Sequence, residues 1–247
     1  PYGKQKIVFY HIHNPTVESY LNLQAHAPFS NWLVLVREPI QSCESWMKKS
    51  FNRNDLDECI MKVCKMLYTV DEQIYSSNKS IGVRLEDLKR APEKTLNALC
   101  TWMGISTSEK LYSMTVQGKK WWGDPSSPDY EREGMDPFGD VAISRKLGTI
   151  FSDQDQFVLR TLFYPFNVKF KYIKEDNETF QKNLHQIRPL LEELFNFEKE
   201  ILSSLGINQN HYLASGSSRL FRSLLIQRWD ILEKNGTYPN MISPLEV

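Results

Sequence analysis

"NWLVLVREPIQSCESWMKK", residues 31–49, sets an apolar run against an arginine, a proline and then a helical pattern. Residues 32–36 are apolar without alternation, the pattern of a central parallel strand covered on both faces. Arg37 ends the run, and Pro39 suits the first turn of a helix reaching about Lys49. In an open parallel sheet the ligand crevice lies at the carboxyl ends of the strands, where helix N-termini present unpaired N–H groups. A guanidinium at such an end can grip a phosphate through two parallel hydrogen bonds, with about 0.3–1 kcal/mol added by the helix dipole. The plainer alternative is an arginine paired with Glu38 or with a carboxylate on a neighbouring loop.

Outward from that stretch, short apolar runs alternate with longer helical patterns. "KIVFYHI" (6–12) reads as a strand and "TVESYLNLQAHA" (16–27) as a helix entered through Pro15. A helix capped by Asn54 runs through "DLDECIMKVCKMLYTVDEQIYSS", and "SIGVRLE" (80–86) is a further strand. "APEKTLNALCTWMGI" follows as a helix, with Pro92 in its first turn and Gly104 at its C-cap. This order predicts an α/β fold: a parallel sheet with helices on both faces, a three-layer sandwich. Residues 115–148, rich in Gly, Pro, Ser and paired aromatics, read as a long ordered loop of the functional kind. Helices return at 152–163 behind a Ser cap, at 177–205 with a break at Pro189, and at about 217–233. The expected organisation is an α/β domain over 1–173 and a helical extension over 174–247 packed on the same domain.

Of the 247 residues 41% are hydrophobic, enough for one substantial core. Thirty Lys and Arg balance thirty Asp and Glu, so no global field draws the chain to nucleic acid or an anionic membrane, and neither is expected as a partner. No apolar stretch approaches a membrane-spanning length and no leader pattern opens the chain. A soluble, cytoplasmic protein is expected, its natural N-terminus lying upstream of Pro1. Cys43, Cys59, Cys64 and Cys100 sit in helical patterns without metal-ligand spacing, so buried reduced thiols and no metal are expected.

Three segments carry a family resemblance. "LVREPIQSCESW" (35–46) resembles the 3′-phosphate-binding segment of sulfotransferases that use 3′-phosphoadenosine 5′-phosphosulfate (PAPS), in which a strand ends in Arg-x-Pro and a Ser follows the Arg by eight residues. Here these are Arg37 and Ser45. "VRLEDLKRAPEKTLNALCTWMGI" (83–105) is similar to that family's strand, "YEDL", Pro and helix block, departing from it at Leu85, where Tyr is common. "ISRKLG" (143–148) is similar to its basic Arg-Lys-Gly stretch, with the Gly displaced by one. The resemblance covers about residues 6–172 and implies a P-loop-like sulfotransferase fold with PAPS as donor co-substrate. It assigns Arg37, Ser45, Arg145 and Lys146 to the 3′-phosphate and places Thr115 near the adenine, with Gln117 standing where the family commonly has an aromatic.

It also aligns His13, in "FYHIHNP" (9–15), with the family's catalytic base. A base there needs a pKa near neutrality and hydrogen-bond reach of the acceptor's hydroxyl or amine. His11, two residues earlier on the same strand face, is a packed or substrate-facing neighbour, and either histidine is a candidate for the base. Trp121 and Trp122, in "KKWWGD" (119–124), stack on a sugar or aromatic acceptor or else anchor the loop to the core. The implied function is sulfuryl transfer from PAPS to a hydroxyl or amine of a small molecule or saccharide. The family's loop for the 5′-phosphosulfate is expected upstream of Pro1. "LASGSSRLFRSLL" (213–225), the one internal lookalike, reads as a helix cap. The alternative is a non-catalytic or truncated nucleotide-binding or interaction domain on the same fold.

Overall fold

In the computed structural model, residues Trp32–Val36 form β1, which pairs in parallel with β2, Ser80–Arg84, in the register Trp32↔Ser80 to Val36↔Arg84. The structure describes residues 25–26, 30–77, 79–113, 115–116, 119–120, 138, 143 and 147–247. The expected strand at 6–12 lies outside them, as does the helix at 16–27 apart from Ala25 and His26, which are helical.

Parallel neighbours need a crossover, and helices supply it. α1 spans Pro39–Asn52, α2 spans Leu56–Thr69, and a short α3, Ile74–Ser77, leads into β2. α1 runs slightly past the expected end at Lys49. α2 is capped by Asp55, whose side chain accepts from the Glu58 N–H at 3.1 Å, and not by Asn54. Asn54 instead takes a left-handed backbone (φ 55°), which Asn tolerates better than most residues, and so passes the cap on by one position. Beyond β2 come α4 (Leu85–Arg90) and α5 (Pro92–Met103), which ends on Gly104 in the left-handed conformation as its sequence predicts. β3 (Thr115–Val116) and β4 (Lys119–Lys120) pair antiparallel, a hairpin inside the segment expected to be loop.

Burial corrects one expectation. β1 was to be covered on both faces, yet Leu33 and Leu35 are 45% and 58% exposed while Trp32 and Val36 are buried. The helices and the C-terminal segment pack on the Trp32 and Val36 side, and among the described residues β1 has β2 as its one strand neighbour. β2's other edge is closed by the chain's end, with the Gly82 N–H donating to the Ser243 carbonyl and the Leu245 N–H to the Gly82 carbonyl. Gly82 is required on its inner side: a Cβ there would lie 2.6 Å from Phe170.

From Asp153 to Asn235 the described elements are helices joined by short turns. Ser152 caps α6 (Asp153–Leu162) as expected, and Asp155 completes a capping box with it; α7 (Tyr164–Lys169) follows at once. α8 (Asn177–Ile187), a 3-10 turn at Pro189–Glu192, α9 (Asn196–Ser204), α10 (Gln209–Leu213) and α11 (Gly216–Asn235) follow, ahead of the C-terminal segment that pairs with β2. The apolar stripe Phe180, Leu184, Ile187 and Leu191 is buried, so this face packs on the molecule as its spacing suggested. One continuous cluster of buried side chains runs from Trp32 to Ile242. The molecule is thus mainly helical around a small parallel sheet. Among the described residues no helix is long and apolar enough to cross a membrane. All four cysteines are free thiols, three of them buried and Cys64 partly exposed.

Candidate anion site at the carboxyl end of the sheet

Arg37 leaves β1 at its carboxyl end and is half-buried. Its Nε donates to Gln41 Oε1 at 3.1 Å, which orients the guanidinium along α1 through one of its five donors. Gln41 and Ser45 are one helical turn apart, so by reaching Gln41 the guanidinium lies on the helix face that carries Ser45. The Gln41 amide also donates to the carbonyl of Ile143 at 3.0 Å. That bond draws the start of "ISRKLG" to the end of β1, bringing two of the sequence-predicted segments together. Arg145 and Lys146 themselves lie outside the described residues.

Glu44 makes the second tie. Its carboxylate, 4% exposed, accepts from the N–H groups of Gly148, Ile150 and Phe151 at 3.2, 3.1 and 2.8 Å and from the Thr149 hydroxyl at 3.4 Å. Gly148 has φ +80°, a conformation that suits glycine and turns the chain toward the carboxylate. The segment containing Arg145 and Lys146 is therefore fastened to α1 on both sides, at Ile143 and at Gly148–Phe151.

Carboxylates share the crevice. Glu38 caps α1 by accepting from the Gln41 N–H at 2.6 Å, and burial pushes its carboxyl above the usual carboxylate range against the opposing pull of that bond. Its backbone N–H donates to Glu86 at 3.4 Å, and Glu86 also accepts from the Tyr172 hydroxyl at 2.9 Å. Burial raises the Tyr172 hydroxyl, and the neighbouring Glu86 raises it further. Arg84, at the end of β2, lies over the Tyr172 ring at 4.6 Å and faces Asp87 at 3.6 Å. The site is a rim of alternating charge in which Arg37 and Arg84 mark the two strand ends.

Thr115 begins β3. His11, His13, Trp121 and Trp122 lie outside the described residues. Among the described residues no cluster of His, Cys, Asp or Glu is arranged to hold a metal. The lookalike at 213–225 is a cap, with the Ser215 hydroxyl accepting from the Ser218 N–H. Sequence reasoning missed Gln41, Glu44 and Glu86. The available signal was their spacing from Arg37 and Arg84, but a Gln or Glu inside an amphipathic helix resembles any solvated position.

Comparison of the chain with protein-family models, curated proteins and solved structures returns no match.

Proposed function

We propose that this chain is the body of a PAPS-dependent sulfotransferase, built on a P-loop-like three-layer α/β fold, that acts on a hydroxyl or amine of a small molecule or saccharide. The observation that carries this reading is Gln41, which joins the Arg37 guanidinium to the backbone at Ile143. Arg37 and Ser45 hold the 3′-phosphate of the donor from one helix face, with Arg145 and Lys146 adding charge from the tethered segment and Thr115 near the adenine. In the reaction the bond from sulfur to the bridging oxygen of the 5′-phosphate breaks as the acceptor's oxygen or nitrogen bonds to sulfur. His13 takes the acceptor's proton, with His11 beside it, and Trp121 and Trp122 flank the acceptor. Catalysis of this kind rests on positioning and on positive charge at the leaving phosphate, by analogy with phosphoryl transfer. The test follows sulfate transfer from labelled PAPS alongside binding of adenosine 3′,5′-bisphosphate. His13→Ala abolishes transfer and keeps binding; a variant that still transfers overturns the assignment of the base.

One observation favours the non-catalytic alternative. The first N–H groups of α1, which an anion would use, meet Glu38's own carboxylate. A domain on this fold that serves binding or assembly folds stably and transfers nothing, even when a phosphosulfate loop is supplied upstream of Pro1.

A further inference from the structure

Between α6 and α8 lies a groove of about 440 Å³. Phe157, Tyr164 and Ile173 supply apolar surface, and Tyr164 is stacked on Phe180 with ring centroids 4.2 Å apart and planes within 8° of parallel. Arg160 and Lys174 stand exposed on its walls. Arg160 donates to Gln156 at 3.0 Å, and neither cation forms an ion pair among the described residues. Two carboxylates, Asp153 and Asp176, also line the groove. Asp176 accepts from the Thr179 N–H at 3.0 Å, which holds it below the usual range, and Asp153 sits in the first turn of α6, where the helix dipole favours its charge. Apolar walls flanked by two exposed cations outside any ion pair among the described residues match a ligand with a flat or short apolar body and one acidic group.

Lining residues of the groove are tied toward the strand-end site. The charge of Arg160 acts on Glu38, and Gln156, one turn earlier, donates to the Phe151 carbonyl in the segment fastened by Glu44. Lys174 follows by two residues Tyr172, whose hydroxyl is bonded to Glu86.

We infer that this groove holds the acidic, non-reacting end of the acceptor, so that the acceptor is an amphiphilic acid carrying its reactive hydroxyl or amine at the opposite end. The identification of this ligand as the acceptor rests on the transferase reading. Exposed cations contribute little each, so selectivity for the acid over its neutral counterpart is the quantity that reports the groove.

The experiment titrates 4-hydroxyphenylacetate and uncharged 4-methylphenol into the whole chain, without nucleotide, and into an Arg160→Gln/Lys174→Gln double variant. The acid binds the parent about tenfold or more tightly than the neutral phenol, and the double variant loses that preference while keeping its cooperative unfolding transition. Equal binding of the two phenols by the parent, no saturable binding of the acid, or an undiminished preference in the double variant overturns the inference. Adenosine 3′,5′-bisphosphate is titrated in parallel and binds the parent and the double variant alike. If the nucleotide fails to bind while the acid preference holds, the groove remains an acid site and the acceptor assignment falls with the transferase reading.

Discussion

Gln41 joins a strand end to a segment a hundred residues downstream by offering both ends of one amide, the oxygen to Arg37 and the nitrogen to Ile143. Gln41→Leu keeps the helix and removes both bonds, and a hydrogen bond to a charged group contributes about 1.5–3 kcal/mol. The expected outcome is adenosine 3′,5′-bisphosphate affinity lower by about tenfold or more, with stability lower by about 1–3 kcal/mol, measured by calorimetry and urea unfolding. Glu44 is structural by contrast: Glu44→Leu leaves three backbone N–H groups without their acceptor and costs about 3 kcal/mol or more in urea unfolding. Glu58 carries a pH signature. Its bond to Lys62 holds its carboxyl at about 2, against an ordinary value of 4.5. That contribution is complete above pH 4.5 and is lost as pH falls toward 2, so Glu58→Gln flattens that part of the acid limb of a stability profile. At this scale the emergence of Arg37 at the carboxyl end of β1 was legible, because Arg-x-Pro at the end of an apolar run marks where the strand stops and the helix begins. Gln41 and Glu44 were not, since their partners lie 102 and 104 residues away in sequence.

Elements were legible where a local device sets them. Pro92, Gly104 and Ser152 each begin or end a helix by backbone chemistry that the residue type alone supplies. The cap of α2 was misplaced by one residue because Asn54 and Asp55 both suit a cap, and only the left-handed turn at Asn54 separates them. β1 misled for a different reason: an unbroken apolar run does not tell which face is covered, and Leu33 and Leu35 remain open. The contact of β2 with the chain's end was hidden altogether, because a single glycine in a strand does not announce its neighbour. It makes a sharp prediction. Gly82→Ala pushes a methyl into Phe170 and lowers stability by about 1–3 kcal/mol, and Phe170→Leu in the same chain recovers part of the loss. Between α9 and α11, Arg222 is bonded to the fully buried Glu198 and to the Glu193 carbonyl. Arg222→Met breaks that pair and costs about 3–5 kcal/mol in denaturant unfolding, whereas Arg222→Met with Glu198→Leu costs less, because no charge is left buried alone.

For the whole molecule, the small parallel sheet serves as a platform whose carboxyl edge gathers Arg37, Glu38, Arg84 and Glu86, while the helices beyond α6 share its core. Composition fixed the scale of that core and the balanced charge, but not that an anion would have to be bound among carboxylates. On the proposed reading, discrimination comes from placement: one guanidinium bonded to Gln41, one hydroxyl a turn further on, and a tethered basic segment. Calorimetric titration of adenosine 3′,5′-bisphosphate against adenosine 5′-monophosphate, into the parent chain and Arg37→Ala, tests that placement most directly. The parent is expected to favour the bisphosphate by about tenfold or more, and Arg37→Ala to bind the two nucleotides alike. Equal affinity for both nucleotides in the parent, or a preference that survives Arg37→Ala, would contradict the account.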